Sequence, residues 1–170
     1  DMLGVVPGVM AWGLVTGVAM VKAGMPPPIA LLMALTVFAA SAQLASVPLM
    51  LSGAPIWVVW VTAWCVNLRF VIFSAHMRRH MMALPLRWRL VAGYLTADIT
   101  YVFMQQRHGQ SAPADAQNIG PLAYFVGLCS VNWLAWNVSA TVGVLFAEAI
   151  PTHWGMGFAG PLALVGLLVA

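Results

Sequence analysis

Residues 56–80 read IWVVWVTAWCVNLRFVIFSAHMRRH. From Ile56 to Ala75 the run holds one charged residue, Arg69, before it meets His76-Met77-Arg78-Arg79-His80. A helix of about 20 mostly apolar residues, rising about 1.5 Å per residue, crosses a hydrocarbon core of about 30 Å. The stretch predicts a transmembrane helix that ends in a basic cluster and carries one guanidinium inside the membrane. The rest of the chain agrees. Of 170 residues, 62% are hydrophobic and 6% are charged, with a mean hydropathy of +0.92. Soluble domains carry about 25% charged residues, and seven Lys/Arg with four Asp/Glu cannot clothe a water-facing surface of this size. A soluble enzyme, a nucleic-acid module and a disordered chain are all excluded. The pI of 9.3 reflects a net charge of only +3, gathered in one short stretch, so no nucleic acid is expected as a partner.

Breakers and charges divide the chain into six apolar segments. The first, Leu3 to Val21, stops at Lys22-Ala23-Gly24 and Pro26-Pro27-Pro28. The second covers Ile29 to Leu51, the third Ile56 to Ala75 and the fourth Leu90 to Met104. A fifth run, Pro121 to Ile150, follows the polar loop 105–120, and a sixth begins near Gly155. The fifth is too long for a straight span and must tilt, protrude or break, with Asn132 to Asn137 as the place for a break. The fold class is all-α: a polytopic transmembrane bundle of about six helices in a single domain, residues 1–170, with at least one helix broken or tilted. A three-plus-three inverted repeat is conceivable, but the halves do not align by sequence. The start at Asp1-Met2-Leu3 and the apolar end read as an internal piece of a longer protein.

On the first segment, Gly4, Gly8, Gly13 and Gly17 have the small-xxx-small spacing that lets helix backbones approach. Cys65 and Cys129 lie in apolar runs and read as buried thiols rather than a disulfide. His76 and His80 stand at i, i+4 without a Cys or carboxylate, which favours headgroup contact over a metal. No phosphate-binding loop or nucleophile–base pattern occurs; no cofactor, metal or enzymatic activity is expected. Loop 76–89 carries Arg78, Arg79, Arg87 and Arg89, against Arg107 alone in loop 105–120. The positive-inside rule therefore puts 76–89 in the cytoplasm. Counting three spans back then places Lys22 inside and residue 1 outside.

Depth along the helices defines a polar layer. Arg69 lies roughly 10 Å in from His76, while Asn67 and Asp98 each lie roughly 13 Å in. An isolated ionised residue at such depth costs at least about 2.5–3.5 kcal/mol, so Arg69 and Asp98 are expected to pair. Two readings stay open: a pair that locks two helices together, and a pair that lines a path for substrate or protons. Ser41 and Gln43, among very small neighbours in the second segment, and Asn132, Trp133, Trp136 and Asn137 in the fifth join this layer.

These residues resemble the AzlC family, the large subunit of bacterial branched-chain amino-acid exporters. The family's Phe-Ala-Gly-Ser-Ala-Gln-type stretch is matched by Phe38 to Gln43, with Ala40 in the glycine place. Its Asn-Leu-Arg-His element is matched by Asn67-Leu68-Arg69-Phe70, and its Leu-Thr-Asp-Glu element by Leu95-Thr96-Ala97-Asp98. The Trp-rich fifth segment and Ile150-Pro151 are also similar. Phe70 replaces the usual His, and Asp98 stands where two acids are usual. The resemblance implies secondary-active, proton-driven export of branched-chain amino acids, and of methionine in some members, across the bacterial inner membrane. It also implies a small hydrophobic AzlD-like subunit as partner. On that reading Arg69 faces the substrate carboxylate, and Asn67, Gln43 and Ser41 supply hydrogen bonds. Phe38, Phe70 and Trp133 shape an aliphatic pocket, and Asp98 carries the proton. The reading that competes with it is a non-transporting membrane scaffold whose polar layer binds a partner subunit. Whole-cell valine export separates the two.

Overall fold

A computed structural model describes residues 1–82, 84–108 and 120–149. The sixth segment, Ile150-Pro151 and most of loop 105–120 lie outside the described residues. The described chain is helical: α1 (Met2–Lys22), α2 (Pro27–Thr36), α3 (Ala40–Leu51), α4 (Ile56–Asn67), α5 (Arg69–Met81), α6 (Leu86–Leu95), α7 (Asp98–His108) and α8 (Gly120–Leu145), with a 3-10 turn at Ala147–Ala149. This agrees with the all-α membrane bundle. Among the described residues, three helical stretches are long and apolar enough to cross a membrane: Met2–Lys22, Ile56–Met81 and Gly120–Leu145. The second contains α4 and α5, which Leu68 joins with its backbone still in the right-handed helical region. Trp57, Trp60 and Trp64, at i, i+3 and i+7 on α4, are all exposed. An apolar solvent is the medium in which that face is stable.

Segments two and four are not spans, which corrects the sequence reading. Each is a pair of short helices that folds back on itself. α2 has 10 residues and α3 has 12; α6 has 10 and α7 has 11. At about 1.5 Å per residue each reaches roughly 15–18 Å, half of a hydrocarbon core. Hydrogen bonds show the reversal in the first pair. Gln43, in the first turn of α3, donates through Nε2 to the carbonyls of Met33 (3.1 Å) and Val37 (2.7 Å) on the final turn and C-cap of α2. A straight continuation would leave Gln43 and Met33 about 15 Å apart. In the second pair, α7 runs alongside α5 in the same direction. Arg69 meets Asp98, and Phe73 and then His76 meet Tyr101. Because the short turn after Met81 makes α6 antiparallel to α5, α6 and α7 form a re-entrant hairpin.

Prolines start both hairpins. Pro26 caps α2 with φ −57° and ψ 137°, and Pro85 caps α6 with φ −57° and ψ 151°. Each fixes an extended residue before the first turn, where a missing N–H costs nothing. Lys22 ends α1 four residues before Pro26, and Met81 ends α5 four residues before Pro85. Gly24 supplies the left-handed residue (φ +80°) that closes α1, and the Met25 N–H bonds back to the Met20 carbonyl at 3.2 Å. The chain thus repeats one pattern, a long helix followed by a proline-started hairpin, over residues 2–51 and 56–108. The repeat is helix plus hairpin rather than three helices plus three.

The described residues form two compact units, 1–6 with 68–134 and 7–67 with 135–149. In the first, Met77, Met81, Ala92, Met104, Phe125 and Cys129 make the core between α5, the α6–α7 hairpin and the start of α8. In the second, Met20, Met25, Ala30, Ala34, Val47, Ala140 and Val144 do the same for the end of α1, the α2–α3 hairpin and the end of α8. There α1 and α8 touch at backbone distance. A Cβ on Gly13 would overlap Ser139 and sit 2.9 Å from the Trp136 carbonyl oxygen. One on Gly17 would overlap the Ala140 carbonyl, and one on Gly143 the Leu14 carbonyl. Gly4 and Gly8 meet nothing among the described residues, so within these only Gly13 and Gly17 of the series serve close packing.

Further expectations are corrected. α8 is continuous through Asn132 to Asn137, because its backbone bonds are complete and its polar side chains face protein. Asn132 and Asn137 are both buried. Cys129 is buried, but Cys65 is exposed on α4, and both thiols are free. Most of "loop" 76–89 is helix, since α5 runs to Met81 and α6 starts at Leu86. The re-entrant α6–α7 also returns Arg107 to the end of the unit where α5 finishes, so 76–89 and 105–108 are not opposed. Arg107 pairs there with Asp1 at 3.2 Å, and Tyr124 donates to the same carboxylate at 2.7 Å. Residue 1 therefore shares a face with the arginines of its unit.

Candidate functional site

The tip of the α6–α7 hairpin carries the charged pair. α6 ends where Thr96 turns extended (φ −70°, ψ 124°). Backbone groups freed by such a break must be satisfied locally when water is absent. Two threonines do this. Thr96 Oγ1 donates to the Ala92 carbonyl at 2.7 Å. The Ala97 N–H donates to Thr100 Oγ1 at 2.9 Å, and Thr100 Oγ1 donates to the Ala97 carbonyl at 2.8 Å. Asp98 then opens α7, where the positive end of the helix dipole favours a carboxylate.

Arg69 opens α5 directly across from it. Its Nη2 lies 3.1 Å from Asp98 Oδ2, with the arginine side chain 19% exposed and the aspartate 48%. Arg69 Cζ also stands 5.3 Å from the centre of the Phe70 ring, a cation–π contact that holds the guanidinium in place. The ring of Phe70 packs edge-on against Phe73 at 5.7 Å. The pair is half open: the arginine is fixed, while the carboxylate remains reachable. A guanidinium so placed offers a planar fork for a second carboxylate, and Asp98 offers a site for a proton.

A second feature, missed from sequence, extends along the same two helices. Tyr101 stacks on Phe73, with centroids 4.2 Å apart and planes at 15°. Its hydroxyl is hydrogen-bonded to His76 Nδ1 at 2.6 Å and accepts from Gln105 Nε2 at 3.2 Å. Tyr101 lies at i+3 from Asp98 and His76 at i+7 from Arg69. These are the spacings at which a polar stripe would be sought once α5 and α7 are known to run in parallel. Trp133 sits on α8 in the same unit and donates from Nε1 to the Tyr94 hydroxyl at 3.3 Å, at the last turn of α6.

The remaining expected residues belong to the other unit. Ser41 and Gln43 are both buried. Gln43 spends both amide hydrogens on the carbonyls that end α2, so Oε1 is its free group, buried without a partner among the described residues. Phe38, in the tip between α2 and α3, packs edge-on against Trp136 at 6.4 Å. Asn67 ends α4 with a buried Oδ1 that has no partner among the described residues. Arg69, Phe70, Asp98 and Trp133 are thus brought into one unit, and Phe38, Ser41, Gln43 and Asn67 into the other. Among the described residues, no group of three or more His, Cys, Asp or Glu could hold a metal ion.

Comparison with known proteins gives the same family as the motifs. A family model described as AzlC protein matches residues 4–150, most of the chain. The chain belongs to the AzlC family, a membrane family of transporter type. No curated protein and no solved structure matches it.

Proposed function

We propose that this AzlC-family protein is the large subunit of a proton-coupled secondary exporter of branched-chain amino acids in the bacterial inner membrane. It works with a small hydrophobic subunit of the AzlD type. The observation that carries the reading is the half-open Arg69–Asp98 pair at the tip of a hairpin that reaches roughly 15 Å into the membrane. Intramembrane charges that face an opening rather than lipid mark the paths of substrates and protons. With Asp98 ionised, it occupies Arg69. A proton on Asp98 releases the guanidinium to take the carboxylate of a zwitterionic substrate, so that proton and substrate movements are linked. Asp98 takes this role alone, and Phe70, where the family usually has His, serves to hold Arg69. The face that carries Arg78, Arg79, Arg87, Arg89 and Arg107 is cytoplasmic on the positive-inside rule, and residue 1 lies on that face.

The test is valine transport by the full-length protein and its partner in liposomes, with and without a pH gradient. The intact complex is expected to move valine faster when the gradient is imposed. Asp98→Asn is expected to exchange valine across the membrane without responding to the gradient. Full retention of the pH response by Asp98→Asn removes Asp98 from the coupling role.

A further inference from the structure

A cleft of about 400 Å3 opens between α5 and α6, lined among others by Arg78, Arg89, Met77, Met82, Gly93 and Thr96. Sequence explains why it exists. Ser74 and Ala75 on α5 face Ala92 and Gly93 on α6, and side chains this small cannot fill the space between two helices. At Gly93 an added Cβ would meet nothing within 4 Å. The cleft starts at the turn that joins the helices, where Arg89 Nη1 lies 3.5 Å from Met82 Sδ. It ends at Thr96, on the hairpin tip, two residues before Asp98.

Its chemistry changes along that length. Arg78 and Arg89 stand toward the outer end, and the Nε of Arg89 is buried without a partner among the described residues. An anion is the complement that such a group lacks. The middle is walled by methionines, whose flexible thioethers mould to aliphatic groups of different shape. Ser74 and Thr96 add hydroxyls farther in. The order is cationic, apolar, then hydroxylic. It suits a small molecule that is polar at one end, because a phospholipid tail would lay its methylenes against the hydroxyl-bearing end. The volume falls within the range of small-molecule pockets.

We propose that this cleft is the access vestibule of the transport site: Arg78 and Arg89 capture the carboxylate of an amino acid with a short aliphatic side chain and deliver it to the Arg69–Asp98 pair. The inference rests on the exporter reading above and adds the route and the groups that select for the substrate. Arg89 is a binding residue for the incoming molecule; Arg69 remains the residue at the coupling site.

The experiment uses the full-length protein and its partner in liposomes and reads initial rates of valine transport. Arg89→Gln is expected to raise the KM for valine about tenfold with the maximal rate within twofold, and Arg89→Lys to recover most of the loss. Gly93→Trp fills the cleft and is expected to cut the rate at least tenfold. Gly127→Trp is expected to leave the rate unchanged, since it also opens onto empty space but lies on α8 away from the cleft. Gly93→Cys is expected to react with a charged, membrane-impermeant methanethiosulfonate, more slowly when leucine is present. That labelling step does not depend on tolerance of a bulky residue. Wild-type rates from Gly93→Trp, an unchanged KM in Arg89→Gln, or a Gly93→Cys thiol that the reagent cannot reach would each overturn the vestibule while leaving the exporter reading intact. Failure of the unsubstituted complex to move any aliphatic amino acid would overturn both.

Discussion

The two hairpins are built to one plan and finished differently. α2–α3 and α6–α7 each start after a proline, run 10 residues inward and return over 11 or 12. The tip of the first is closed by a neutral side chain: Gln43 reaches back to two carbonyls of α2 and its cap. The tip of the second is closed by hydroxyls, Thr96 and Thr100, and then adds a charge. A neutral tip needs only its backbone groups satisfied. A charged one also needs a counter-ion, and Arg69 on the neighbouring spanning helix provides it. On the exporter reading proposed above, the difference separates scaffolding from chemistry: the same re-entrant shape can serve as packing or can bring an ionisable group to mid-membrane.

Removing that counter-ion should have the largest effect. Arg69→Leu leaves the Asp98 carboxylate without its counter-ion. Fully buried pairs cost roughly 3–5 kcal/mol when broken from one side. With Asp98 half exposed, a loss of about 2 kcal/mol is expected, together with at least about a hundredfold fall in valine transport. Melting in detergent and liposome flux report the two effects separately. The double variant Arg69→Leu/Asp98→Leu should regain the stability and none of the transport. If the double variant transports, the charged tip is packing too, and the contrast between the hairpins disappears.

The neutral tip comes next. Gln43→Leu keeps the volume and strips both side-chain hydrogen bonds, leaving the Met33 and Val37 carbonyls only the backbone N–H groups of Val37 and Ala39. A buried hydrogen bond contributes about 0.5–1.5 kcal/mol net, so loss of the two should lower the melting temperature by the equivalent of about 2 kcal/mol. An unchanged melting temperature would mean that the first tip is held by other contacts and that Gln43 is available to a ligand.

Much of this was legible beforehand. Composition and the run Ile56 to Ala75 read directly as membrane helix, because a 6% charged fraction has no soluble solution. The pairing of Arg69 with Asp98 followed from depth alone. The hairpins did not, for a physical reason. A helix that is apolar all round has no periodicity to reveal its direction, and a segment of 23 residues such as Ile29 to Leu51 is equally long whether it crosses or doubles back. The signals that distinguish these outcomes are local: a proline four residues past a helix end, and a Gln or Thr placed to serve carbonyls behind it. Reading segment four as a span also misdirected the topology, since it set Arg107 across the membrane from Arg89 when both lie toward one face.

Thr100→Val tests the second tip in the same currency as Gln43→Leu. It removes the hydroxyl that serves both backbone groups of Ala97, and loss of a helix cap costs about 1 kcal/mol. The melting shift should be about half that of Gln43→Leu, because Thr96 still holds the Ala92 carbonyl. A larger shift than Gln43→Leu would show that the charged tip depends on its cap more than the neutral one does.

Tyr101→Phe should have the smallest effect and is the most specific to the charged hairpin, since it leaves the stack on Phe73 in place. Only the 2.6 Å bond to His76 and the 3.2 Å bond from Gln105 are lost. His76 is exposed, so the groups left behind can find other partners, and about 0.5–1 kcal/mol is expected in melting experiments. The informative comparison is with His76→Gln. Because the two side chains share one bond, the double variant should lose less than the sum of the single losses, although Tyr101→Phe also gives up the Gln105 bond and His76→Gln the ring contact with Tyr101. Additive losses would show that the Tyr101–His76 bond contributes nothing to stability. The parallel register of α5 and α7 would then rest on the Arg69–Asp98 pair and the Phe73 stack alone.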